Sequence, residues 1–270
     1  MKLLIGADPE VFVQGPQGFV SAHIFGCGTK ENPKKTKHGF IQVDGMALEF
    51  NTKPTDNPKK FIKNVRELLA DLNVIVKKHD RLLSLRPVPT AHFMPEYLGT
   101  LPSQVLELGC NPDFNAYTEE MTTPPDPFVS FRTGSGHIHL GWTRIDETSS
   151  THMRTCCSLV KELDYYLGLP SLGWDTDIER RDLYGKAGAF RPKKYGVEYR
   201  TLSNAWLSSD KTMTTVFNQA KKAFQRWSEG VENGALLHEE YGNFAQMAID
   251  NNISDWGQQR PELAAIIYGE

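Results

Sequence analysis

Three short segments each place two side chains suited to a metal ion or a phosphate two residues apart within an apolar strand pattern. They are Asp8 and Glu10 in IGADPEVFV, His137 and His139 in GSGHIHLGW, and Glu198 and Arg200 in YGVEYRTL. Side chains i and i+2 of an extended strand point to the same face, about 6–7 Å apart. The intervening Val11, Val13, Ile138, Leu140, Val197 and Tyr199 supply an apolar opposite face. If the three strands share one sheet, its polar face gathers carboxylates, imidazoles and a guanidinium. A hydrophobic core has no use for that set. A divalent cation beside a phosphate needs it, because carboxylates hold the cation while guanidinium and ammonium groups hold phosphate oxygens.

Two further stretches extend the constellation. Asp44 and Glu49 lie in QVDGMALEFNTKP; their odd spacing places them on opposite faces of one regular strand, so a bulge at Gly45 is expected to bring them together. Upstream of Glu198, Lys186 and Arg191 bracket AGAF, and Arg180 and Arg181 precede them, which reads as a flexible basic loop suited to a triphosphate. The glycines around His137 and His139 read as allowing close approach of a ligand. Each feature alone has an ordinary explanation: solvent-facing strand acids, a turn aspartate, exposed histidines, a surface salt bridge of little energetic weight, or a solvated charged loop. Their occurrence together, in order along one chain, is what favours a site.

The elements that must position these groups follow from periodicity. IGADPEVFV and GFVSAHIF read as strands, with Pro9 marking an edge or a break, and the Lys/Gly/Pro-rich GCGTKENPKKTKHG as an exposed loop. FIQVDGMALEFN is a further strand. Asn57 and Pro58 have the character of a helix cap and first position, and Phe61, Val65, Leu68, Leu72 and Val76 recur at helical spacing to about Leu83. Residues 84–130 are Pro-rich and irregular, with a strand expected before GCNPDFNAY. The strand FRTGSGHIHLGW is followed by a helix capped by Ser149 or Ser150, a charged loop GWDTDIERRDLYGKAGAF, the strand KKYGVEYRTLS, and helices from Asp210 onward. The expected fold is α+β: a largely antiparallel sheet with one polar face and helices on the other, in one domain over 1–270, with a strand core to about 205 and helices from about 210 to 268.

Composition narrows the class. With 39% hydrophobic residues and a net charge of -3 over 270 residues, the chain can build a core and lacks the basic footprint of a nucleic-acid or membrane-surface binder. No apolar run approaches the length of a membrane span, and MKLLIGADPE reads as an opening strand rather than a signal peptide. Cys27, Cys110, Cys156 and Cys157 show no metal-ligand spacing, so reduced buried thiols in a cytoplasmic protein are expected.

The order of motifs resembles the glutamine synthetase-like carboxylate–amine ligase superfamily, most closely its phage-encoded type 2 branch. GADPEVFV is similar to the first acidic strand, DGMALEFNTKP to the second acidic element, GSGHIHLG to the glycine–histidine strand, and FRPKKYGVEYRTL to the basic loop and Glu–x–Arg strand; GCNPDFNAY is similar to a stretch of the phage branch. The resemblance spans roughly residues 5 to 205. It implies a glutamine synthetase-like curved sheet, ATP as co-substrate, and two metal positions holding Mg or Mn. Glu10, Glu49 and, more weakly, Asp44 fall where one metal is held; Asp8, His137 and Glu198 fall where the other is held. Arg191 matches the phosphate-binding arginine, Arg200 the arginine of the Glu–x–Arg strand, Lys186 a position that commonly carries Arg, and His139 a group facing substrate or nucleotide.

The resemblance implies ATP-dependent amide formation through an acyl phosphate, with Arg191, Arg200 and Glu49 as the catalytic candidates. Glu49, Asp113 or Asp44 could take the amine proton. The partners implied are a small-molecule or peptide carboxylate and an amine, with no nucleic acid or membrane. The location implied is the cytoplasm, that of the host if the gene is phage-encoded. A metal-dependent hydrolase and a catalytically silent nucleotide- or metabolite-binding protein are the rival readings. His92, Glu96, Asp113, Asn115, Trp174 and Asp175 are candidates for the substrate pocket, and the sequence leaves the substrates and the oligomeric state undecided.

Overall fold

In the computed structural model, which describes residues 2–106, 113–122 and 129–269, the first strand pattern is broken at Asp8 and Pro9. β1 (Leu4–Ala7) and β2 (Glu10–Gly15) lie on either side of the break. Proline has no N–H to give to a ladder, and the two halves enter different sheets. β3 (Gly18–Val20) is shorter than expected. The Ser21 N–H goes to the Tyr97 hydroxyl and the Ala22 N–H to the Met46 carbonyl, so AHIF turns as a 3-10 helix instead of continuing a ladder.

β4 (Lys34–Lys35) leads to β5 (Gly39–Asp44) and β6 (Ala47–Thr52). The single strand expected here is a hairpin. Gly45, at φ +54°, opens its two-residue turn rather than making a bulge, the role glycine takes at the first position of such turns. α1 (Pro58–His79) is capped by the Asn57 side chain, which accepts from Lys60 N at 3.1 Å. It ends four residues before Leu83 because Asp80 is extended, and its carboxylate accepts the Leu82 N–H.

Next come β7 (Ser84–Arg86), β8 (Thr90–His92), α2 (Pro95–Leu98), α3 (Ser103–Leu106) and β9 (Phe114–Asn115). Ser103–Leu106 is helical where a strand was expected; the rest of that segment, and Cys110, lie outside the described residues. FRTGSGHIHLGW divides into β10 (Phe131–Thr133) and β11 (Ile138–Gly141). The glycines between them serve the chain's own packing. A Cβ on Gly136 would lie 2.1 Å from the Ser203 carbonyl oxygen, and one on Gly134 would lie 2.3 Å from Asn204 Nδ2.

α4 (Ser150–Leu163), capped by Ser149, continues through a π turn at Asp164–Gly168 into α5 (Leu169–Ser171). α6 (Ile178–Leu183), β12 (Ala189–Lys193), β13 (Gly196–Tyr199) and α7 (Asp210–Asn233) follow. Four short helices, α8 (Leu237–Glu240), α9 (Phe244–Asp250), α10 (Trp256–Gln259) and α11 (Pro261–Tyr268), close the chain.

The architecture is α+β and antiparallel, as expected, but the strands form two main sheets rather than one. One has the order β1-β11-β13-β12-β9; the other has β3-β2-β6-β5-β4 with β7 on β2; β10 and β8 pair separately. Alternation holds throughout. Ile5, Val11, Val13, Ile41, Leu48, Phe50, Ile138, Leu140, Val197 and Tyr199 enter one large core. It is completed by α1, α4 and α7, with Phe61 stacked on Trp206 at 5.9 Å and tilted against Phe217 at 5.3 Å. A smaller core gathers Phe12, Met46, Ala47, Ala91 and Phe93. Cys27, Cys156 and Cys157 are buried free thiols, and burial pushes Cys156 up to about 12. Among the described residues no helix is long and apolar enough to cross a membrane.

The segment read as a flexible basic loop is structured. Asp177 caps α6 by accepting the Arg180 N–H at 3.0 Å. Arg180 is fully buried and donates to the carbonyls of Thr201 and Leu202, both at 2.9 Å. Gly185, at φ +78°, wraps over that guanidinium so closely that a Cβ would lie 2.1 Å from Nη1. Arg181 is buried against Asp175 and Asn252. Arg180 braces the chain just beyond Arg200, and Arg181 ties the Asp175 turn to Asn252; both guanidinium groups are engaged within the protein. Arg180→Met removes both charge-assisted bonds; the Leu202 carbonyl keeps the Gly136 N–H, and the Thr201 carbonyl loses its partner at about 1–3 kcal/mol. The variant is therefore expected to unfold in denaturant with a stability lower by about 2–4 kcal/mol, and an unchanged midpoint contradicts this assignment.

Candidate active site

The register of each sheet decides which polar residues meet. In the first, Gly6 lies opposite His139, His139 opposite Glu198, and Glu198 opposite Arg191. In the second, Glu10 lies opposite Glu49 and Glu49 opposite Gln42. Asp44 is two residues beyond Gln42 on the same strand, so the hairpin, not a bulge, puts it on the face of Glu49. These two rows line a single cavity of about 1090 Å³, together with Asp8, His137, Lys193 and Arg200. That volume exceeds what one small ligand needs.

Within it, acids and imidazole converge in two groups. Asp8, His139 and Glu198 bring one ligand atom each within 4.8 Å of one another, and so do Glu10, Asp44 and Glu49. The second group matches the first metal position expected from the motifs. The first differs in one member: His139, not His137, completes it. His137 Nδ1 sits 3.4 Å from Asp8 and 3.5 Å from Glu198, but it also accepts a hydrogen bond from Arg200 Nη1 at 3.2 Å. Its lone pair faces a guanidinium. His139 Nδ1 meets the Tyr195 hydroxyl at 2.5 Å, which leaves Nε2 facing Asp8.

The two groups differ electrostatically. Burial and the charge of Asp44 push Glu10 up to about 7, although the Ser135 N–H bonds its carboxylate at 2.8 Å. Burial and the charges of Asp8, Asp44 and Glu10 raise Glu49 well above the usual carboxylate range, against one bond from Asn51 at 2.8 Å. In the other group burial also opposes ionisation, but the imidazoles of His139 and His137 hold Asp8 well below its ordinary value. Arg200 and the same imidazoles hold Glu198 down at about 2, against its burial and Asp8. His139 is correspondingly raised by Asp8 despite burial, whereas burial and Arg200 lower His137.

The cations stand along one side. Arg200 contacts Glu198, the Tyr184 hydroxyl and Asp113, the last at 2.8 Å from Nε. Arg191 Nε lies 3.0 Å from the same Asp113 oxygen. Lys193 Nζ lies 2.7 Å from Glu198 Oε2. Lys193 and Tyr184 were missed in the sequence. Lys193 had a signal, since it follows Arg191 by two along β12, whereas Tyr184 enters through the fold of the α6 loop and had none.

Lys186 does not line the cavity. The loop is drawn away because Asp250 accepts the Ala187 N–H and Asp164 the Gly188 N–H, at 2.8 and 2.7 Å, and Lys186 is left exposed near Asp250. Of the residues suggested for a substrate pocket, Asp113 joins the two arginines. His92 instead pairs with Glu179 on the surface, Asp175 with buried Arg181, and Trp174 packs on the core. Asn115 bonds its own turn, and Glu96 lies in α2 away from the cavity lining.

No curated protein matches the chain. A family model described as phage phiEco32-like COOH.NH2 ligase-type 2 matches residues 77–243, which include β11, β12 and β13 with His139, Arg191, Glu198 and Arg200. Asp8, Glu10, Asp44 and Glu49 lie N-terminal to the matched segment, and the fold delivers them to the same cavity. The match spans more than half of the chain, which therefore belongs to the phage phiEco32-like type 2 family of carboxylate–amine ligases.

Proposed function

We propose that this cavity joins a carboxylate to an amine with hydrolysis of ATP to ADP and phosphate, using two divalent cations. The observation that carries the reading is the pairing of two ligand groups across one cavity, with Arg191, Arg200 and Lys193 beside them. The donor sets fit Mg or Mn. Three carboxylates form one group, and two of them face each other in register, an arrangement that is unfavourable between strands without a cation. In the other, Asp8 Oδ1 and His139 Nε2 are 2.8 Å apart and buried, yet they are not aligned for a hydrogen bond. Both point at shared space, and a carboxylate-rich set with one imidazole suits either ion.

Bound cations would neutralise charge on the polyphosphate. The side chains carry the rest. Arg191 and Arg200 would hold phosphoryl oxygens, a role supported by Asp113 fixing both guanidinium groups. A substrate carboxylate oxygen attacks the terminal phosphorus, forming the C–O–P bond as the bond to ADP breaks. The amine nitrogen then forms the C–N bond as phosphate leaves with the C–O electrons. The surplus amine proton passes to the departing phosphate or to one of the carboxylates that line the cavity.

Metal-dependent release of ADP that requires an added carboxylate tests the reading, and hydroxylamine in place of the amine should yield a hydroxamate. Cleavage of an amide without ATP points to a hydrolase instead. Arg191→Ala is expected to lower turnover about 100-fold or more with an unchanged circular dichroism spectrum; a near-normal rate removes Arg191 from the site. Manganese should raise the melting temperature of the wild-type protein, by an amount equivalent to about 2.7 kcal/mol at a hundred times its Kd. Glu49→Gln should lose most of that gain, and equal shifts for both proteins would contradict the carboxylate site.

A further inference from the structure

The cavity is also lined by Phe12, Met46 and Ala47 and by Arg132, Thr133 and Ser135. Arg132 is only 7% exposed. Its guanidinium has five N–H donors. Nη1 gives two to the carbonyls of Val129 and Phe131 at 2.7 and 2.8 Å, and Nη2 gives one to that of Leu106 at 3.0 Å. Nε is buried without a hydrogen-bond partner, so Nε–H and one N–H of Nη2 remain.

Arg181, Arg191 and Arg200 each meet a carboxylate. Among the described residues none pairs with Arg132, and burial is the one influence on its pKa, which it lowers. A buried cation without a counter-ion is costly unless a ligand supplies one, and two free donors of a guanidinium suit a carboxylate.

We propose that Arg132 anchors a carboxylate of the substrate, distinct from the carboxylate that is activated. This deepens the ligase reading, and it rests on that reading only for which molecule carries the anchored group. Ser135, whose N–H bonds Glu10, lies three residues from Arg132, so the anchor and the acidic group are neighbours. Phe12 and Met46 line the same cavity and suit a short aliphatic spacer. The ligand class is therefore a dicarboxylate or an amino acid with a short carbon chain. A diamine, cationic at both ends, is disfavoured here.

Calorimetric titration of the full chain with glutarate, L-glutamate, glutaramide and 1,5-diaminopentane tests this, with sodium sulfate as the control for general anion binding. The two acids should bind at millimolar concentration, tenfold or more weakly to Arg132→Gln, while the diamide and diamine should not bind measurably. Mg-ATP binding, measured separately, should be equal in wild type and variant, which shows that the variant is folded. Equal binding of acid and diamide, sulfate binding as tight as glutarate, equal affinity in Arg132→Gln, or no binding of either acid overturns the anchor. Glutarate binding without Mg-ATP binding leaves the anchor standing and defeats the ligase reading. Melting-temperature shifts of the wild-type protein with glutarate against glutaramide need no variant; a rise with the acid alone supports the proposal, and equal shifts reject it.

Discussion

Repulsion among carboxylates held on the polar faces of two sheets is the constraint around which this molecule is organised. Glu10 faces Glu49 across a ladder, and Asp44 completes a triangle whose ligand oxygens are within 4.8 Å of one another. At that separation and an effective dielectric constant of about 20, each pair of ionised carboxylates repels by roughly 3 kcal/mol. Single hydrogen bonds from Asn51 and Ser135, at about 1.5–3 kcal/mol each to a charged group, do not offset three such pairs. The carboxyls keep protons or gain a cation, and the raised pKa values of Glu10 and Glu49 express that choice.

The neighbouring group solves the same problem internally. Asp8 and Glu198 face His139, His137, Lys193 and Arg200, and both carboxyls remain ionised. One cavity thus contains an acid cluster lacking compensation and another in which compensation comes from groups able to contact phosphate. Under the proposed reading, such asymmetry would give a polyphosphate and its metals a defined direction of approach. Asp113, shared between Arg191 and Arg200, limits their freedom, so less ordering remains when an anion arrives.

Much of this was legible because strand alternation is a strict rule. The pairs His137/His139 and Glu198/Arg200 reach the cavity and Ile138, Leu140, Val197 and Tyr199 enter the core, as alternation requires, whereas Asp8 and Glu10 reach the cavity across a break that sends their strands into different sheets. What alternation cannot report is register and turn type. The odd spacing of Asp44 and Glu49 was resolved by a hairpin turn at Gly45. Only the placement of His139 opposite Glu198 in the ladder shows that it, rather than His137, joins the carboxylates, while the approach of Arg200 occupies His137. The basic run failed most clearly. Arg180 and Arg181 look solvated by composition, yet backbone carbonyls from β13's continuation and the carboxylate of Asp175 make their burial tolerable. Arg132 gave no signal, since a lone arginine in FRTGSG has no periodic partner.

The most direct measurement is anomalous diffraction from crystals grown with manganese and a non-hydrolysable ATP analogue. The account predicts two manganese peaks, one bounded by Glu10, Asp44 and Glu49 and the other by Asp8, His139 and Glu198, with the terminal phosphate directed toward Arg191 and Arg200. Manganese absent from both positions, or a nucleotide seated outside this cavity, would contradict it.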